Sequence, residues 1–131
     1  MSASRLPKPT DAELELLRVL WERGPLTVRE VHESLPKATG YTTTLKILQK
    51  MAEKGLVTRD ETSRSHIYAA AIEAEQTQRQ LVRHLLDGAF GGSPTRLVMQ
   101  ALSEERASAE DLQEIKKLLQ DLEQSEGGQA S

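Results

Sequence analysis

The stretch GYTTTLKILQKMAEKG, residues 40–55, decides how the rest of the chain is read. Thr44, Ile47, Leu48, Met51 and Ala52 fall at i, i+3, i+4, i+7 and i+8, the spacing of a helical stripe that packs on a core, and Leu45 widens it. Thr42, Thr43, Lys46, Gln49, Lys50 and Glu53 point elsewhere. The outward face therefore opens with small hydroxyls and continues with two lysines one turn apart. That order suits a helix lying in a DNA major groove, with hydrogen-bonding groups near base edges and cations near phosphate. Taken alone, the stretch also fits a surface helix with solvated lysines, so its flanks carry the decision.

Upstream, Thr10 with Glu13 forms a capping box, and Asp11 favours the positive helix end. Leu14, Leu17, Leu20 and Trp21, with Leu16 beside them, make a wide apolar face that Gly24-Pro25 ends. Thr27 with Glu30 opens a second, short helix lined by Val28, Val31 and Leu35, and Pro36 ends it. The linker Lys37-Ala38-Thr39 leads to the quoted stretch, so the order is that of a helix-turn-helix. Downstream, Gly55 caps the helix. Leu56–Arg59 and His66–Ala69 are then rich in β-branched and aromatic residues around a polar turn, Asp60–Ser65, which predicts a β-hairpin. The hairpin's Arg59, Arg64 and His66, beside Lys46 and Lys50, make one DNA-facing surface. The predicted fold is mainly α. A flexible arm, residues 1–9, precedes an N-terminal winged helix-turn-helix of three helices plus a β-hairpin wing, residues 10–71.

Residues 72–131 differ in character. A helix is predicted from Ile72 to Leu86, then a break at Asp87–Gly92, then a Ser93-capped helix from Pro94 through Leu102. Ser108 with Asp111 caps a last helix in which Leu112, Ile115, Leu118, Leu119 and Leu122 repeat at threes and fours. Residues 124–131, QSEGGQAS, read as a disordered tail. Three short helices cannot bury their apolar faces alone, so residues 72–123 are expected to be a small three-helix dimerisation domain. Its candidate contact residues are Leu81, Leu85, Leu97, Leu112, Ile115 and Leu119. The alternative is a bundle folded back on the winged helix as a monomer.

The net charge is −3, but residues 1–71 carry +2 and residues 72–131 carry −5, which hints at a binding half joined to something else. A net of +2 is too little to hold DNA through bulk charge, so binding needs local geometry and two copies. Only Trp21, Tyr41, Tyr68 and Phe90 are aromatic, which favours helices over a β-sandwich. There is no cysteine, which removes disulfides, thiolate metal sites and a cysteine nucleophile and fits a cytoplasmic protein. No apolar run reaches membrane-spanning length, and the N-terminus lacks the apolar segment of a signal peptide. His32, His66 and His84 fall in three separate elements with no ligand spacing, and no phosphate loop is present. An enzyme, a metal site and a cofactor are therefore not expected.

With these residues in hand, the chain resembles the penicillinase repressor family (BlaI/MecI, with the related copper repressors of the CopY type). The likeness runs over about residues 6 to 123. LPKPTDAELELLRVLW is similar to that family's first helix, TVREV to its second, GYTTTLKILQKMAEKGLV to its recognition helix and following strand, and SRSHIYAA to its wing. SPTRLVMQALSEERASAEDLQEIKKLL resembles its dimerisation domain. The resemblance implies a homodimeric repressor on a dyad operator of double-stranded DNA. Thr42, Thr43 and Lys46 would face bases or nearby phosphates, with Lys50 behind them, and Tyr41 and Arg64 would contact the backbone. In antibiotic-responsive members a membrane-bound sensor metalloprotease relieves repression, and the repressor is cut in its dimerisation domain. The corresponding bond here is Gln100–Ala101, where the family has Asn followed by Phe. The Cys-rich metal motif of the copper branch is absent. Two other readings stay open: a small-molecule-sensing winged-helix regulator, and a winged-helix protein-interaction module without operator binding.

Overall fold

The computed structural model describes residues 8–36 and 39–130. Most of the expected N-terminal arm, and Lys37 and Ala38 of the linker, lie outside the described residues. Both predicted capping boxes form. Thr10 Oγ1 accepts from the Glu13 N–H at 3.1 Å while Glu13 Oε1 accepts from the Thr10 N–H at 2.9 Å, opening α1 (Asp11–Arg23). Thr27 and Glu30 repeat the exchange at 3.2 and 2.9 Å, opening α2 (Val28–Glu33). Helix α3 (Tyr41–Lys54) starts at Gly40, which has no side chain to cap it.

The end of α3 explains where the wing begins. Gly55 adopts φ 85°, ψ 13°, a left-handed conformation that suits glycine. Its N–H bonds to the Ala52 carbonyl at 3.2 Å, and the Leu56 N–H reaches back to the Met51 carbonyl at 2.9 Å. Leu56 is thus used to close the helix. The strands begin one residue later than predicted, as β2 (Val57–Asp60) and β3 (Ile67–Ala70), antiparallel with Arg59 opposite Tyr68. A two-residue strand, β1 (Leu26–Thr27), pairs with the other edge of β3 and gives the order β1-β3-β2. This strand was not predicted, because two residues carry no alternation.

Every element of this region contributes to one core: Leu16, Leu17 and Leu20 of α1, Val28 and Val31 of α2, Leu48 and Met51 of α3, then Leu56, Val57, Tyr68 and Ile72. Lys54 Nζ meets Glu13 Oε2 at 2.8 Å and pins the end of α3 to α1. Burial alone would push the pKa of Glu13 up. The Lys54 ammonium and the Thr10 N–H outweigh it and hold the carboxyl below its ordinary 4.5.

The rest is helical: α4 (Ala74–Ala89), α5 (Pro94–Glu104) and α6 (Ala109–Ala130). One expectation needs correction, and two expected bounds can be set beside the structure. Helix α4 runs past Leu86 through Gly88, and the break narrows to Phe90–Ser93. One interior glycine is tolerable in a helix, and the turn is made at Gly91 and Gly92, the latter donating to the Leu86 carbonyl at 2.8 Å. Helix α6 continues through residues 124–130, read above as a disordered tail. By packing, the chain forms one compact unit reaching to His84 and another from Leu85 onward, beside the expected domain boundary at residue 72. The reason is packing: Ile72 and Thr77 are buried in the first unit, and the Trp21 indole N–H donates to the Ile72 carbonyl at 2.9 Å.

Candidate nucleic-acid interface

Helix α3 has the two unlike faces its sequence predicts. Thr44, Leu48 and Met51 are fully buried, whereas Thr42, Thr43, Lys46 and Lys50 are all exposed. The Thr44 hydroxyl is absorbed internally, with the Gly40 carbonyl at 3.3 Å and His32 Nδ1 at 3.2 Å. His32 therefore has a structural place.

Tyr41 stands apart from the lysines. With Leu45 and Gln49, at i, i+4 and i+8, it lines a groove of about 510 Å³ between α3 and the wing. The other side of the groove is Arg59, Arg64, Ser65, His66 and Tyr68, with Thr27, Val28 and Arg29 at its end. The Tyr41 ring is held from α2: His32 meets it edge-on at 5.5 Å between centroids, and the Arg29 guanidinium lies 6.0 Å from its centre. The fold thus brings Tyr41 and Arg64 into one groove and leaves Thr42, Thr43, Lys46 and Lys50 on the exposed side of the same helix. Arg29 and Gln49 also line the groove, and neither was among the candidates. Gln49 was legible as an outward position, but nothing local marks Arg29.

The charges on this side are unequally engaged. Among the described residues Arg29, Lys46, Lys50 and Arg64 take no carboxylate partner. Arg59 does: its Nε donates to Glu61 Oε2 at 2.6 Å, and Tyr68 and Glu61 hold its pKa above the ordinary value. Asp60 accepts from the Thr62 backbone N–H at 2.9 Å and the Thr62 hydroxyl at 2.7 Å, which lowers its pKa and fixes the turn of the wing.

Of the candidate dimer residues, Leu85, Leu112 and Leu119 are exposed, while Leu81, Leu97 and Ile115 are half-buried. Val98, Met99, Leu102, Leu118 and Leu122 are exposed as well. Gln100 and Ala101 are exposed in the middle of α5, with Gln100 Nε2 donating to Glu104 Oε2 at 3.1 Å. No helix among the described residues is long and apolar enough to cross a membrane.

The family model for the penicillinase repressor matches residues 9–121, across both units. The chain belongs to that family. It is 30% identical over 128 residues to the transcriptional regulator BlaI of Mycobacterium tuberculosis, covering 95% of this chain and 91% of that protein. It is 23% identical over 119 residues to the penicillinase repressor of Bacillus licheniformis, covering 89% and 93%. Among solved structures, a transcriptional regulator from Thermotoga maritima superposes with a TM-score of 0.51 at 15% identity, covering 88% of this chain and 77% of that one, a likeness of fold.

Proposed function

We propose that this member of the penicillinase repressor family is a homodimeric transcriptional repressor that binds a dyad operator of double-stranded DNA. One observation carries the reading. The exposed Thr42, Thr43, Lys46 and Lys50 of α3 adjoin a groove holding Tyr41 and Arg64, and those cations lack carboxylate partners among the described residues. In this reading α3 enters the major groove, Thr42, Thr43 and Lys46 meet base edges and nearby phosphates, and Tyr41 and Arg64 brace on the backbone. The names of the two relatives, a regulator and a repressor, agree with it.

The second copy follows from charge. With +2 over residues 1–71, one winged helix makes few phosphate contacts, and halving the contacts of a dimer weakens binding by orders of magnitude. The exposed leucines of the second unit are the surface such a partner would cover. Relief by a membrane-bound sensor metalloprotease would act on the Gln100–Ala101 bond. That bond lies mid-helix in α5, so cutting would need α5 to unwind locally. Footprinting on the protein's own promoter tests the central claim: a protected dyad is expected, and uniform or absent protection would sink it.

A second reading has one observation in its favour. A cleft of about 330 Å³ between α1 and α4, with Leu14, Trp21, Leu81 and Thr77 in its lining, holds the buried Thr77 hydroxyl, which has no hydrogen-bond partner among the described residues. A thermal-shift screen with small apolar ligands checks for an effector there.

A further inference from the structure

Among the described residues, five cations border the groove or the outward face of α3: Arg29, Lys46, Lys50, Arg59 and Arg64. Of these five, only Arg59 is tied to a carboxylate among the described residues, that of Glu61. The pairing is local. Arg59 is in β2 and Glu61 follows that strand's last residue at the start of the wing turn, close enough for its carboxylate to take the Arg59 Nε–H at 2.6 Å. Arg59 is opposite Tyr68 in the ladder, and both line the groove. Asp60 alternates to the other side, and its carboxylate is already used by the Thr62 N–H and hydroxyl. That turn holds the segment in which Glu61 sits.

We propose that Glu61 limits DNA affinity by holding the Arg59 guanidinium away from the phosphodiester backbone. The inference rests on the DNA-binding reading above. An exposed ion pair is weak, and a guanidinium can bind phosphate in a bidentate manner, so Arg59 is a usable contact that the wing withholds. Phosphate contacts carry no sequence information, so the brake acts on every duplex and keeps the winged helix from settling on DNA at large.

The test uses the full-length protein, a mixed-sequence duplex and a duplex from its own promoter, each titrated across a potassium chloride series. Glu61→Gln is expected to bind the mixed-sequence duplex roughly two- to fivefold tighter at fixed salt, the worth of an exposed pair, with a log–log salt slope steeper by about one. Adding Arg59→Gln to Glu61→Gln should remove the gain. Thermal melting checks folding, and Glu61→Ala serves if the glutamine disturbs the turn. Wild-type affinity and slope in a folded Glu61 variant overturn the inference, as does a gain that survives loss of Arg59. If the wild type binds neither duplex, the DNA-binding reading itself falls; if it binds both and the Glu61 variants match it, the inference alone falls.

Discussion

Single side chains separate function from stability. Lys46 is exposed and has no carboxylate partner among the described residues, so Lys46→Ala removes a charge without opening a hole. Operator binding should weaken and its salt slope shrink by about one, with the melting temperature unchanged. A variant that bound as tightly as wild type would remove Lys46 from the interface. Glu13 is the opposite case. It is buried, ion-paired and part of a capping box, and Glu13→Gln keeps the box but not the charge. About 1–2 kcal/mol of stability should be lost at neutral pH, read by urea denaturation. The folded pKa of Glu13 lies below its unfolded value near 4.5. Its contribution is therefore complete above 4.5 and fades as pH falls through the lower folded value, so variant and wild type should converge in acid. A gap that stays constant through that range would assign the loss to packing.

At the scale of elements, what was legible in the chain was what neighbouring residues settle between themselves. The capping boxes at Thr10 and Thr27 span three residues, and the stripe through Thr44, Leu48 and Met51 spans two turns, so both could be read directly. Strand β1 exists only because Leu26 finds Tyr68, far along the chain, and Arg29 matters only because the Tyr41 ring comes to rest beside it. Where α4 divides was hidden for the same reason: the burial of Ile72 and Thr77 depends on α1, not on their own neighbours. The close of α3 was marked by Gly55, and that mark has a measurable consequence. A Cβ at Gly55 meets nothing within 4 Å, so Gly55→Ala probes backbone conformation alone. It should destabilise by about 1–2 kcal/mol, with Gly55→Asn milder because asparagine visits the left-handed region. Equal stability of Gly55→Ala in thermal denaturation would mean that the helix end relaxes freely and the wing start is not set there.

For the whole molecule, the apolar surface of the second unit bears on association. Leu112 is 42% exposed, Leu118 56%, Leu119 53% and Leu122 54%, on one helix, while Val98 and Met99 stand exposed on α5. Scattered surface leucines need no explanation, but a concentrated set of this kind is the surface that a second copy would cover in the proposed dimer. The choice of probe follows from burial. Ile115, at the middle of the stripe, is half-buried, so a charge there would disturb the unit's own packing as well as any partner. Leu119 is more exposed, and Leu119→Asp should leave the monomer fold intact while placing a desolvated carboxylate in the proposed dimer contact. If the proposed dimer is correct, sedimentation should report a dimer for the wild type and monomers for Leu119→Asp, and operator affinity should fall by orders of magnitude because half the phosphate contacts are lost together. Helix content by circular dichroism should be preserved. A dimer unaffected by Leu119→Asp would move the subunit contact away from α6 and leave the exposed leucines needing another partner.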